Sequence, residues 1–162
     1  MRLEDYDILE QKGVGISAFG ESGFEAPGAP GFGQGFKGGV FTALNKITKE
    51  KVAMKIIPLK YNDPRFEKEI NNEIYALKTI QCENSLKYYT HFQINEYYYI
   101  VTELCDTDLK NYVEKEHNYR FSSEEILNNV FREMRKYNIM HRDLKLANIL
   151  IKNSKMAKSY LN

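Results

Sequence analysis

The residues best able to do chemistry gather in three places along the chain. Near its C-terminal end, His141-Arg142-Asp143-Leu144-Lys145-Leu146-Ala147-Asn148-Ile149-Leu150 sets a carboxylate, cations and an amide a few positions apart, and an apolar run, Ile149-Leu150-Ile151, follows. Taken singly, these residues also read as a basic surface turn, since Arg, Asp and Lys are common on surfaces. Earlier, Gly33-Gln34-Gly35-Phe36-Lys37-Gly38-Gly39-Val40 has the form G-x-G-x-x-G-x-V. A glycine hairpin of this kind holds phosphate when its strands are tightly joined and its backbone N–H groups converge. Between these two stretches lies Lys55, flanked by Val52, Ala53, Met54, Ile56 and Ile57. A cation set beside a core needs a partner.

The elements around these residues decide which chemistry is meant. A dinucleotide-binding G-x-G-x-x-G follows a strand and opens a helix. Here Val40-Phe41-Thr42-Ala43-Leu44 is alternating and β-prone, and a polar turn begins at Asn45-Lys46, so strand and turn follow instead. A first strand, Tyr6 to Lys12, runs into Gly13-Val14-Gly15. All ten glycines fall between Gly13 and Gly39, with Pro27 and Pro30 among them, and residues 21–31 read as a linker. Lys55 alternates with Met54 and Ile56, so it shares a strand face with Ala53 and Ile57. Asp63-Pro64 is a helix start, and Phe66, Ile70, Ile74, Leu77 and Ile80 then mark one apolar face. Glu73 lies beside Ile74 on that helix, while Glu67 and Glu69 read as solvated. Two strands, Tyr88–Ile94 and Tyr97–Glu103, are joined by Asn95-Glu96. The triplet Tyr97–Tyr99 lacks a surrounding basic cluster and reads as strand rather than as a stacking platform for bases. Asp108–Glu116 is a short helix candidate, and Ser122 to Glu125 offers a capping box for another helix through Ile126, Leu127, Val130, Phe131 and Met134.

Taken in this order, the stretches resemble the eukaryotic protein kinases. His141, Arg142, Asp143, Leu144 and Asn148 fill the H-R-D-L-x-x-x-N catalytic loop. Val52-Ala53-Met54-Lys55 resembles the V-A-I-K strand, with Lys55 15 positions after Val40. The helix carrying Glu73 is similar to the family's αC, and Thr102-Glu103-Leu104-Cys105 resembles its hinge. The resemblance runs from about Tyr6 to Ile151 and implies an α+β, protein-kinase-like fold. That fold has a five-stranded antiparallel N-lobe sheet with the αC helix, then the beginning of a helical C-lobe. The domain would span 6–162: an N-lobe of 6–104 with a Gly/Pro-rich insertion at about 16–32, and a partial C-lobe of 105–162.

The implied activity is transfer of the ATP γ-phosphoryl group, with Mg²⁺, to a Ser or Thr hydroxyl of a protein substrate. In this scheme Gly33, Gly35 and Gly38 offer backbone N–H groups to phosphate. Lys55, held by Glu73, orients the α- and β-phosphates. Val40, Ala53 and Leu150 enclose the adenine. The backbones of Glu103 and Cys105 meet its edge beyond the gatekeeper Thr102, and Asp108 meets the ribose. Asp143 accepts the hydroxyl proton, Lys145 screens the phosphoryl charge and marks the Ser/Thr form of the loop, and Asn148 holds Mg²⁺. Within the family, the hinge and the run Leu104-Cys105-Asp106-Thr107-Asp108-Leu109 look somewhat like those of autophagy-initiating Ser/Thr kinases.

The match breaks in two places. Gly13-Val14-Gly15 also sits where the family's first two glycines belong, 20 positions ahead of Gly33. Either the loop carries an insertion at its tip, or the sequence includes residues foreign to the mature chain. After Ile151 there is no Asp-Phe-Gly and no Ala-Pro-Glu. The aspartate of Asp-Phe-Gly is a Mg²⁺ ligand in the family, so the expectation is an incomplete kinase domain with weak ATP binding and negligible transfer. Competing expectations are a non-catalytic nucleotide-binding or scaffold module, and a fragment that does not fold stably.

Composition narrows the setting. With 43% hydrophobic and 28% charged residues, the 162-residue chain reads as globular. A net charge of +1 offers nothing to nucleic acid or an anionic membrane. Two cysteines, Cys82 and Cys105, make no disulfide framework and point to a reducing compartment. No apolar run approaches the roughly 20 residues of a membrane span, and the N-terminus has no signal core, so a cytoplasmic location is expected. His91 and His117 have no metal-ligand company.

Overall fold

A computed structural model describes residues 2–13, 38–59, 64–115, 131–140, 144–152 and 156–159. The chain divides into two compact units, Met1–Ile70 with Tyr89–Leu104, and Asn71–Tyr88 with Cys105–Asn162.

The first unit is a five-stranded sheet made of β1 (Tyr6–Gly13), β2 (Gly39–Asn45), β3 (Lys51–Pro58), β4 (Tyr88–Ile94) and β5 (Tyr97–Glu103). Its order is β1-β2-β3-β5-β4, and β1, β2, β3 and β5 pair antiparallel. β4 and β5 are sheet neighbours joined by the Asn95-Glu96 turn, so the antiparallel sheet expected from the alternating sequence is present. The turns are built by side chains suited to them. At the β2–β3 turn the Oδ1 of Asn45 accepts the N–H groups of Ile47 (2.9 Å) and Thr48 (3.1 Å), replacing bonds the ladder no longer supplies. Asn95 takes a positive φ of 52°, a region in which asparagine is enriched.

Register sorts the side chains onto two faces. Phe41 lies opposite Met54, which lies opposite Val101. These residues, with Tyr6, Ala43, Val52, Ile56 and Tyr99, form the buried core of this unit. Phe92 stacks between Tyr99 (ring centroids 5.1 Å apart) and Tyr6 (6.2 Å), closing the core. Fully burying a side chain the size of Phe41 or Met54 contributes about 1.5–3 kcal/mol. The other face carries Val40, Thr42, Ala53, Lys55, Ile100 and Thr102. Thr42 stands out there: it is 2% exposed, and among the described residues its hydroxyl has no hydrogen-bond partner. β1 carries register shifts between Ile8 and Glu10 and between Gln11 and Gly13. Bulges of this kind bend a strand and disturb its ladder.

Helix α1 (Pro64–Thr79) follows the apolar spacing, with Ile70, Ile74, Leu77 and the following Ile80 all buried. Pro64 is suited to a first helical position because its missing N–H would be unpaired there anyway; Asp63, the expected cap, lies outside the described residues. The helix ends where side chains take over its last carbonyls. Gln81 Nε2 donates to the Leu77 carbonyl at 2.8 Å, and Ser85 Oγ donates to that of Ile80 at 2.9 Å.

In the second unit Ala76 and Ile80 pack with Met134, and Cys82, Phe131 and Ile139 lie against them. Residues 131–136 are helical and end in a Schellman turn. Asn138 takes φ 53°, and the Ile139 N–H reaches back to the Met134 carbonyl at 2.8 Å. The expected capping box Ser122–Glu125 and the start of its helix lie outside the described residues. Helix α2 (Leu109–Lys115) matches the short helix expected after Asp108. A three-stranded sheet, β6 (Thr107–Asp108), β7 (Ile149–Lys152) and β8 (Met156–Ser159), completes this unit. Leu109 of α2 packs with Ile149 and Ile151 of β7, with Tyr112 against them. Among the described residues no helix is long and apolar enough to cross a membrane.

Two predictions follow from the sheet. Replacing Thr42 by Val removes a buried hydroxyl without a partner and keeps the branched shape. An unsatisfied buried group costs about 1–3 kcal/mol, so T42V should raise the urea midpoint. A lower midpoint would show that the hydroxyl is satisfied after all. Burial also pushes up the phenols of Tyr6, Tyr88 and Tyr99, with Asp5 adding to the effect at Tyr6 and Tyr97 at Tyr99. A phenol raised on folding holds its proton more tightly in the folded chain. Its contribution is therefore complete below the ordinary phenol value of about 10 and is lost as pH rises past it. Melting temperatures measured at stepped pH should be flat below that value, as far as these groups decide, and fall above it. Alkaline melts in which Tyr6→Phe, Tyr88→Phe and Tyr99→Phe leave the fall unchanged would contradict this.

Candidate functional site

The first group of candidate residues lies on the sheet face turned away from the core. Val40 of β2 lies opposite Lys55 of β3, which lies opposite Ile100 of β5. The next row on the same face is Thr42, Ala53 and Thr102. Directly opposed residues of antiparallel strands hold their Cβ atoms about 4.5–5.5 Å apart, so Val40, Ala53 and Lys55 form one contiguous patch. Lys55 is only 8% exposed. An ammonium group that little exposed, beside a small Ala and a Val, is suited to an anion attached to a flat apolar group.

The glycines divide differently from the sequence motif. β1 runs through to Gly13, which pairs with Val40, the residue opposite Lys55. Gly13 is therefore in the same cross-strand row as Lys55. Gly33 and Gly35 lie outside the described residues. Gly38 precedes β2 with φ +86°, and a Cβ there would stand 2.7 Å from the Ile56 carbonyl oxygen and 2.8 Å from Pro58 Cδ. Its first requirement is thus close packing of the β2 backbone on β3.

At the end of β5, the Thr102 hydroxyl donates to the Glu103 carbonyl at 3.3 Å, and both residues are buried. Glu73 is half-buried on α1.

The second unit holds the remaining candidates. Cys105 is buried and forms no disulfide. Asp108 of β6 lies opposite Leu150 of β7, so the two share one face of that small sheet. The Asp108 carboxylate also caps α2. Its Oδ1 accepts the Asn111 N–H at 2.9 Å, and its Oδ2 accepts the Asn111 side-chain amide. Lys145 is exposed and Asn148 is 7% exposed. They are the two ends of a tight turn, in which the Asn148 N–H donates to the Lys145 carbonyl at 2.9 Å. Asp143 lies outside the described residues. Asn111 was not anticipated from the sequence, although Asp-x-x-Asn at a helix start is a readable capping signal.

Mg²⁺ asks for octahedral oxygen ligands, commonly one or two carboxylates with substrate phosphates and water. Asn148 supplies a single neutral amide oxygen, and among the described residues no group of three or more His, Cys, Asp or Glu side chains could hold a metal. The described residues alone do not make a Mg²⁺ site.

Compared with protein-family models, residues 30–159, well over half of the 162-residue chain, match the protein kinase domain. A search of the curated proteins found no match. The matched range begins after β1 and ends at the last residue of β8.

Gly38→Ala tests the backbone contact. A side chain at this positive φ costs about 1–2 kcal/mol, and the collision with backbone adds about 1–3 kcal/mol of overpacking. The urea midpoint should fall accordingly, and a midpoint equal to that of the wild type would mean β2 and β3 are not packed this closely.

Proposed function

The chain belongs to the protein kinase family, and on that premise we propose that it transfers the γ-phosphoryl group of ATP to a Ser or Thr hydroxyl of a protein. The observation that carries this reading is the row Gly13, Val40, Lys55 and Ile100, beside Thr42, Ala53 and Thr102, on the face opposite the core. It supports a nucleotide lying on that face, with its adenine against Val40 and Ala53 and its phosphates at Lys55. By the family resemblance Glu73 is the carboxylate assigned to Lys55, and a buried ammonium is stable only when paired. Register puts Gly13 in the row of Lys55, so Gly13 joins Gly33, Gly35 and Gly38 as a candidate to meet the phosphates. By the family resemblance the backbones of Glu103 and Cys105 are assigned to the adenine edge, Leu150 to the adenine ring and Asp108 to the ribose.

The chemistry rests on few groups. The hydroxyl of the protein substrate attacks the γ-phosphorus as the bond to the bridging oxygen of ADP breaks. Asp143 takes the hydroxyl proton, and Lys145 lies two residues on, where its charge offsets that gathering on the phosphoryl oxygens. Lys145 is also the residue that favours Ser and Thr over Tyr as acceptors. Asn148 would give one oxygen to Mg²⁺, which when bound neutralises phosphate charge. Phosphoryl transfer depends mainly on such positioning and electrostatics. Cys82 and Cys105, which form no disulfide, support a reducing, cytoplasmic setting.

Purified chain with ATP, Mg²⁺ and a generic Ser/Thr protein substrate provides the test. Lys55→Met should lower the rate at least about 10²-fold, and Asp143→Asn about 10²- to 10⁴-fold. ATP binding by wild type without any transfer would instead identify a nucleotide-binding module. A rate unaffected by either substitution would refute the assignment.

A further inference from the structure

The carboxylate of Asp108 is held by one residue at both of its oxygens. Asn111 donates its backbone N–H to Oδ1 at 2.9 Å and its side-chain amide to Oδ2. Only the first of these bonds is needed to cap α2; any residue but proline at position 111 would supply it. The second comes from the side chain and fixes the plane of the carboxylate. On the adjacent strand Leu150 stands directly opposite Asp108, so an apolar side chain and an oriented carboxylate face the same way.

An ionised carboxylate has about four acceptor sites. Two are taken by Asn111, and Asp108 is partly exposed, so among the described residues its carboxylate keeps acceptor capacity for a ligand. What suits them is a pair of hydroxyls fixed to an apolar ring system, with the ring against Leu150 and the hydroxyls at the carboxylate. We propose that Asn111 is a positioning residue: by gripping Asp108 through its side-chain amide, it makes the site select a nucleotide with an intact sugar diol. This rests on the assignment of Asp108 to the ribose under the proposed function. Asn111 itself touches no ligand; it acts by keeping the Asp108 carboxylate from rotating away from the sugar.

The side-chain role separates cleanly from the cap. Asn111→Ala keeps the backbone N–H and hence the cap, and Asp108→Asn keeps a good capping residue while weakening the acceptor. Affinities of the full chain for ATP and 2′-deoxy-ATP are measured by titration calorimetry, together with melting temperature. Wild type should prefer ATP. Asn111→Ala should weaken ATP about 3- to 10-fold, part of the value of a hydrogen bond to a charged group, while leaving 2′-deoxy-ATP nearly unchanged. Asp108→Asn should do the same, and the double variant should be no worse than either single one, because both act through the same bond. If Asp108→Asn removes the preference and Asn111→Ala does not, Asn111 serves only the helix and the inference is overturned while the ribose assignment stands. The inference also falls if Asn111→Ala weakens both nucleotides equally with a lower melting temperature. A wild type that binds neither nucleotide, or both alike, removes the ribose assignment and the inference with it.

Discussion

The register between β2, β3 and β5 is the constraint on which the other features of the sheet depend. A strand's side chains alternate with a period of two, so a slip of one residue in β3 would exchange Lys55 for Met54 or Ile56. Lys55 would then enter the core with Phe41 and Val101, and Met54 would take its place on the opposite face. The apolar identity of Phe41, Met54, Ile56, Tyr99 and Val101 makes that slip costly, since burying an ammonium group without a partner is far worse than burying a methionine. The same hydrophobic packing that stabilises the sheet therefore holds Lys55 on the opposite face, beside Ala53 and Val40. Stability and the candidate chemistry are set by one pattern.

Backbone geometry then sets how closely the strands approach. Gly38 allows β2 to close against Ile56 and Pro58, where any larger residue would collide. Gly13 continues β1 to the position opposite Val40. In the second unit the economy is of another kind. Asp108 is at once a β6 residue, the cap of α2 and the neighbour of Leu150, so one carboxylate ties helix to strand and still has acceptor sites left. Asn148 ends the tight turn that leads into β7, and its backbone bond to Lys145 fixes the spacing between the two.

Much of this was legible from the residues. The bounds of β4 and β5 follow from the tyrosine-rich alternation broken by Asn95-Glu96, and the face of β3 follows from simple parity. The apolar spacing from Phe66 to Ile80 announced α1, and Asp108 announced α2. Local pattern could not reach what depends on partners distant in sequence. Met156–Ser159 has little β-propensity of its own and is a strand because β7 offers it an edge. The pairing of Gly13 with Val40 spans the whole Gly/Pro-rich stretch, so the chain alone left two glycine sets in competition. By sequence Thr42 is an ordinary strand threonine, and only its packing shows the hydroxyl enclosed without a partner among the described residues. The side-chain role of Asn111 is not legible in the sequence, because a cap is read from its first residue and the side-chain half of the bond appears only in three dimensions.

The most direct test of the central claim, that the Lys55 face is a nucleotide phosphate site, is chemical. An ATP derivative with an acyl group on its terminal phosphate transfers that group to an amine held at the phosphates. The chain is treated with this reagent, digested, and mapped by mass spectrometry, with and without excess ATP. The account predicts acylation concentrated at Lys55 and suppressed by ATP. Labelling spread over exposed lysines such as Lys46, Lys78 and Lys110, with no protection by ATP, would contradict it.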